Sequence, residues 1–64
     1  MNAGEQFRAA LERARHLAKF YGKPYYIVAV VHGWTVENEA QFRAHETAPE
    51  YAERVEVSGT SQTV

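Results

Sequence analysis

A run of seven apolar residues, Tyr25 to Val31, stands directly after a helix stop in this 64-residue chain. Its β-branched and aromatic side chains predict a strand, and because odd and even positions are both apolar, we expect a central strand of a sheet. Gly22 allows the left-handed conformation that follows a last helical turn, and Pro24 prevents the helix from continuing. The rest of the fold has to be arranged around this strand.

The residues before the stop have a helical pattern of apolar and charged positions. Charged side chains at Arg8, Glu12, Arg15 and Lys19 align on one side. Between residues 3 and 21 the apolar positions fall within about 120° of a helical wheel; they are Phe7, Ala10, Leu11, Ala14, Leu17, Ala18 and Tyr21. The pattern predicts one long amphipathic helix with a single buried face.

A second strand is expected after a tight turn at His32 and Gly33, because alternating apolar and polar residues run from Trp34 to residue 43. A two-residue turn pairs Val31 with Trp34. Asn38 interrupts the apolar positions, and residues 39–46 suit a helix as well as a strand, so both alternatives stay open for that segment.

The last third of the chain predicts a short helix, a short strand and a tail. Thr47 to Glu50 has the spacing of a capping box with a proline in the first turn, which indicates a helix over 48–53. Residues 54–58 alternate as a third strand, and residues 59–64 offer little to bury. We therefore expect an α+β fold over 1–58, with a disordered tail over 59–64: helix, strand, strand, short helix, strand, the long helix packed on a three-stranded antiparallel sheet.

The composition argues against most kinds of chemistry. The chain has no cysteine, no aspartate and only two serines, both near the C-terminus, and His16, His32 and His45 lack the close spacing of a metal site. Its four glycines are isolated, so no phosphate-binding loop is predicted. We expect a protein that is not an enzyme and has no cofactor or metal. With neither a signal-peptide pattern nor a membrane-length apolar run, the expected location is the cytoplasm.

The apolar strand suggests a partner-binding face. One helix covers one face of a sheet, so Tyr26, Val28 and Val30 are expected to point outward, beside Glu37 and Glu39. Leu, Ile, Val and Phe number only 13 and no disulfide is possible, which favours association with a protein partner or a homodimer through this face. In the alternative, the short helix folds over it.

Phe20 is a further candidate for partner binding. It lies off the apolar side of the predicted helix, near Ala9 and Arg13. Such a residue either packs under a loop or anchors a partner, since aromatic side chains are favoured at binding hot spots.

Nucleic-acid binding is the alternative function. Residues 1–24 hold five basic residues against two glutamates, a net charge of +3, and residues 25–64 hold two against six, a net charge of −4. Basic residues in a position to contact phosphates are Arg8, Arg15, Lys19 and Lys23. Because Glu12 lies among them, they also fit an ordinary solvated helix face.

In size and composition the chain resembles the small accessory proteins of phages and mobile elements, which often act by occluding a host enzyme or complex. The leading hypothesis is accordingly a non-enzymatic protein-binding module that inhibits a larger partner by covering its surface. A nucleic-acid binder and a structural homo-oligomer are the two alternatives.

Overall fold

The computed structural model describes residues 3–64; residues 1 and 2, where the expected domain begins, lie outside the described part. An antiparallel sheet in the order β2-β1-β3-β4 carries two helices. In chain order the elements are α1 (Ala3–Tyr21), β1 (Tyr25–Val30), β2 (Gly33–Asn38), α2 (Glu39–Arg43), β3 (Ala52–Val55) and β4 (Ser61–Thr63). The expected α+β class and element order are confirmed, with a fourth strand added.

The main core lies between α1 and one face of the sheet, here called the inner face. Ala14, Ile27 and Val55 are fully buried there. Partly buried side chains complete the cluster: Phe7, Ala10, Leu11, Tyr25, Trp34 and Val36. The helical stripe therefore meets the strand positions predicted to face it, except at Tyr21, which is 57% exposed. Both periodicities are local properties of the sequence.

The end of α1 is also confirmed. Gly22 has a φ of 68°, and the N–H groups of Gly22 and Lys23 both donate to the Ala18 carbonyl, at 2.8 and 3.2 Å. These bonds satisfy a carbonyl that the last turn would otherwise leave without a partner.

The β1–β2 hairpin has a different register from the predicted one. Val30 pairs with Gly33 and Ala29 with Trp34, so Val31 and His32 form the turn. Gly33 has a φ of 139°, which a glycine adopts at no steric cost, and this places the glycine after the turn instead of within it. The register differs from the predicted one by two residues. Each side chain of the pair therefore keeps its predicted face, except that Val31 is 92% exposed.

The short helix is α2, so the prediction of a helix over 48–53 is wrong, and the helical alternative is correct for residues 39–43. Asn38 caps α2 reciprocally with Gln41: the Gln41 N–H donates to Asn38 Oδ1 (2.8 Å), and the Asn38 N–H donates to Gln41 Oε1 (2.9 Å). The similar motif at Thr47 does not start a helix. The third strand then begins early, at Ala52, because residues 52–55 pair with β1.

The opposite face of the sheet, here called the outer face, is covered by α2. Tyr26 is 6% exposed and Val28 is 1% exposed, and they form a second cluster with Ala52. The Phe42 ring of α2 stacks on Tyr26 with ring centres 4.1 Å apart and planes 3° apart. The expectation that Tyr26 and Val28 point outward to solvent is therefore wrong, because a helix that starts directly after β2 folds back over them.

The expected disordered tail is ordered in the structure. Ser61 to Thr63 form β4, paired with Val55 to Glu53, and the Val64 N–H donates to the Ala52 carbonyl (2.9 Å). These contacts are main-chain hydrogen bonds, which need no apolar side chains, so hydropathy gave no sign of them. Neither described helix is long and apolar enough to cross a membrane.

Candidate functional site

A cluster of aromatic side chains, exposed except for the partly buried Tyr25, lies where α1 ends and β1 begins. We call His16, Phe20, Tyr21 and Tyr25 the aromatic tip. Phe20 is 71% exposed and Tyr21 is 57% exposed, more than any other large aromatic side chain among the described residues. Most large apolar side chains of a small domain are needed in its core, so two exposed aromatic neighbours indicate a contact surface.

The rings of the aromatic tip form a continuous series. The Phe20 and Tyr21 ring centres are 4.8 Å apart with planes at 78°, an edge-to-face contact. His16 lies one turn earlier and its ring is 6.3 Å from that of Phe20. The Tyr21 ring is 6.2 Å from that of Tyr25, which is the first residue of β1. The tip is therefore connected at its base to the sheet.

An open cavity of about 520 Å³ lies beside the aromatic tip, between the α1–β1 loop and the junction of β2 with α2. Tyr21 and Tyr25 form its aromatic wall. The complete lining is Tyr21, Lys23, Pro24, Tyr25, Asn38, Glu39 and Ala40. A shallow surface of this kind, part aromatic and part polar, is suited to receiving a side chain of another molecule.

The charge around the aromatic tip is mainly positive. Lys19 lies in the last turn of α1 beside Phe20, and Lys23 lines the cavity. The carboxylate of Glu39, at the cavity edge, lies 3.7 Å from the guanidinium of Arg43 one turn later in α2. The two lysines therefore lie on either side of Phe20 and Tyr21 in the sequence, while the Glu39 carboxylate already has a cation beside it.

The residues predicted to bind a partner do not form one surface. Phe20 belongs to the aromatic tip, and Glu39 lies at the edge of the cavity. Tyr26 and Val28 are buried under α2, whereas Val30 is about half exposed at the hairpin end of β1. Glu37 Oε1 lies 2.8 Å from His45 Nε2 and its side chain is 17% exposed. The contact joins β2 to the residues that follow α2.

The basic residues predicted for nucleic-acid binding are also divided. Arg8 and Arg15 lie along α1, and Arg15 Nε donates to the Gly59 carbonyl (2.9 Å) in the β3–β4 turn. Lys19 lies one turn after Arg15, in the last turn of α1, and Lys23 lines the cavity beside the aromatic tip. The structure therefore gives Arg15 a contact with the C-terminal hairpin and places Lys19 and Lys23 near the end of α1, where the aromatic tip lies.

Sequence reasoning missed Tyr21 and Tyr25 as members of the site. Both follow the apolar periodicity of their elements, and the pattern placed them in the core. Tyr21 is the last residue of α1, next to the stop at Gly22, where little of the sheet remains to cover it. That position at the helix end was the available signal.

Comparison of the chain with protein families, with curated proteins and with solved structures finds no match. The described residues also contain no group of three or more side chains placed to hold a metal ion. Function has to be inferred from the surfaces of the chain itself.

Proposed function

We propose that this protein is a non-enzymatic protein-binding module that inserts its aromatic tip into an apolar pocket, rimmed by carboxylates, on a larger partner. The side-by-side exposure of Phe20 and Tyr21 is the observation that carries the proposal. Aromatic side chains are enriched among the few residues that supply most of the binding energy in protein interfaces.

The arrangement of the tip favours binding because little of it has to become ordered. Phe20 and Tyr21 stand on the last turn of a 19-residue helix, and Tyr21 also contacts Tyr25 in the sheet. An aromatic side chain has only two rotatable bonds, and one already placed by neighbours loses little entropy on binding.

The two lysines define the chemistry of the partner's rim. Lys19 and Lys23 flank the aromatic rings, so carboxylates around the partner's pocket would increase the association rate and select the orientation. Binding that depends on an apolar anchor loses only part of its affinity when salt screens these charges.

Covering a surface requires no catalytic group, and steric occlusion of a larger partner is therefore the mode of action we infer. The resemblance in size and composition to accessory proteins of phages and mobile elements supports an inhibitory role of this kind.

Capture of partners with immobilised wild-type protein and with the Phe20→Ala and Tyr21→Ala variants tests the proposal. We expect a stoichiometric protein partner whose affinity falls about 30-fold in each variant, the effect of losing a hot spot worth about 2 kcal/mol. Val31→Ala, which truncates an exposed side chain in the β1–β2 turn at the opposite end of β1, is the matched control and should bind normally. Circular dichroism checks that each variant is folded. A partner that binds both tip variants as tightly as wild type would refute the proposal.

A nucleic-acid function is the second candidate, since exposed rings flanked by lysines also stack on unpaired bases. A single-stranded oligothymidine separates the two. Affinity for it that falls steeply with salt, and that is lost in Phe20→Ala, would replace the protein partner by single-stranded nucleic acid. Arg8→Ala is informative as well, because it removes a charge along α1 and leaves the aromatic tip intact.

A further inference from the structure

Within residues 3–64, some backbone groups along the β2 edge of the sheet have no hydrogen-bond partner. The Ala29 N–H donates to the Tyr51 carbonyl next to β3, so the N–H and C=O groups of Val28 and Val30 point the other way, toward β2. Their partners on β2 are Thr35 and Gly33. Since alternate residues of a strand direct these groups to opposite sides, those of Trp34 and Val36 point away from the sheet.

The β2 edge is accessible over these residues. No proline or lysine, the residues that commonly block an edge strand, occurs in Gly33–Asn38. An open groove of about 460 Å³ lies between β2 and α1 on the inner face. Its lining is Glu5, Gln6, Ala9, Ala10, Arg13, His32, Gly33, Trp34, Thr35 and Val36. At the end of β2 the Asn38 N–H is occupied, by Gln41 Oε1.

We infer that the occupant of this edge is a second copy of the chain, whose β2 pairs antiparallel with the first so that the two sheets join into one of eight strands. Thr35 lies on the two-fold axis. Trp34 then faces the partner's Val36, Val36 faces the partner's Trp34, and each of these pairs exchanges two main-chain hydrogen bonds.

This register is selected by the backbone N–H and C=O groups of β2 that point away from the sheet. Centring the axis on Trp34 would pair Val36 with the partner's His32, a turn residue. Centring it on Val36 would pair Trp34 with the partner's Asn38, whose N–H is already bound. A shift by one residue would place a residue whose backbone groups point away from the sheet opposite a residue whose backbone groups point toward β1. Of these alternatives, the axis at Thr35 is the one that pairs the outward backbone groups of both Trp34 and Val36 in each strand.

The side chains are compatible with this pairing. On the outer face Thr35 meets the partner's Thr35, a favourable cross-strand pair, and Glu37 lies opposite the partner's Gly33, which has no side chain. The two Glu37 carboxylates would stand four residues apart along the strands, about 14 Å. Among the β2 side chains, no pair of like charges would face directly across the junction.

The inner face adds apolar contact. Trp34 and Val36 are partly buried in each copy, and across the junction each would cover the other's remaining exposed surface. The pairing does not depend on the proposed function, because it involves Gly33 to Glu37 and leaves Phe20 outside it.

A disulfide cross-link tests the register. The chain has no cysteine, so Thr35→Cys introduces a single thiol. Directly opposed residues of the type that does not exchange hydrogen bonds have Cα atoms about 4.5 Å apart, within the range for a disulfide. We expect Thr35→Cys to form a covalent dimer under mild oxidation much faster than Gln62→Cys, an exposed position on β4 at the other edge. Equal rates, or no cross-linking at Thr35→Cys, would overturn the inference.

Thr35→Glu provides the second test, because only a two-fold pairing places position 35 opposite itself. Two facing carboxylates should raise the dissociation constant of the dimer by more than about tenfold. Sedimentation equilibrium should therefore show a dimer for wild type at high concentration and a monomer of unchanged circular dichroism for Thr35→Glu. A wild type that is monomeric at every concentration, or a folded Thr35→Glu variant that dimerises as well as wild type, would refute the inference. Should Thr35→Glu fail to fold, the cross-link alone decides.

Discussion

Ile27 illustrates how much of the stability of a 64-residue domain rests on single side chains. It is fully buried on the inner face, in one cluster with Ala14 and Val55. Six partly buried side chains pack around these three residues, so Ile27 fills a close-packed space and its truncation leaves a cavity.

Ile27→Ala should lower the free energy of unfolding by about 2–4 kcal/mol, through lost burial and the cavity left behind. Urea unfolding followed by circular dichroism measures this loss. Val57→Ala, truncated at an exposed position, should change the unfolding free energy by less than about 0.5 kcal/mol. If both variants unfold at the same urea concentration, Ile27 is not part of the core described here.

At the scale of elements, the five-residue helix α2 covers the outer face of the sheet. It has no buried residue of its own, yet Phe42 closes the outer face over Tyr26 and Val28. The capping box at its start and the contact between Glu37 and His45 beyond its end hold it on the sheet. Because α2 follows β2 without a loop, its position depends on the hairpin being formed.

Val28→Glu therefore tests whether α2 covers the sheet in solution. The new carboxylate would be buried beside Ala52 and under Phe42, on a face whose Arg54 already lies over the Tyr26 ring, at a cost of several kcal/mol, enough to unfold a domain of this size. Thermal unfolding followed by circular dichroism measures the effect. Val31→Glu, in the exposed β1–β2 turn, is the control and should melt like wild type. A stable, folded Val28→Glu protein would mean that α2 does not stay on the outer face.

At the scale of the whole molecule, the two edge strands of the sheet differ in length and support. β4 pairs with β3 and is an edge strand of three residues, and Arg15 of α1 donates to Gly59 in the turn before it. β2, at the opposite edge, has six residues. The two edges of one small sheet thus differ in their capacity for pairing with another chain.

Deletion of residues 60–64 should destabilise the domain, because it removes β4, the Val64 bond to Ala52 and the Thr60 bond to Glu56. A loss of about 1–2 kcal/mol corresponds to a fall of roughly 4–16 °C in the midpoint of thermal unfolding. Calorimetry measures it. A full-length Gln62→Ala variant, which keeps the backbone and changes only an exposed side chain, should melt within about 2 °C of wild type. An unchanged midpoint after the deletion would show that β4 adds nothing to stability.

The sequence by itself determined the features that depend on neighbouring residues. The stripe of α1, its end at Gly22 and the strand that begins at Tyr25 follow from side-chain periodicity and from the backbone preferences of glycine and proline. The faces of β1 and β2 were also predictable despite the error in register, because a shift by two residues leaves the alternation unchanged. Phe20 was recognised as a candidate contact residue because it lies off the stripe.

Only the tertiary structure decided which segments of the second half of the chain became helix or strand, and which aromatic side chains stayed exposed. Asn38 and Thr47 both begin motifs that suit a helix start. A helix forms after Asn38, whereas residues 52–55, which overlap the helix expected after Thr47, pair with β1 as a strand. β4 forms through main-chain bonds to a strand already in place. The exposure of Tyr21 likewise depends on where the sheet ends beneath α1. Each outcome is set by contacts between residues far apart in the chain, which local periodicity does not encode.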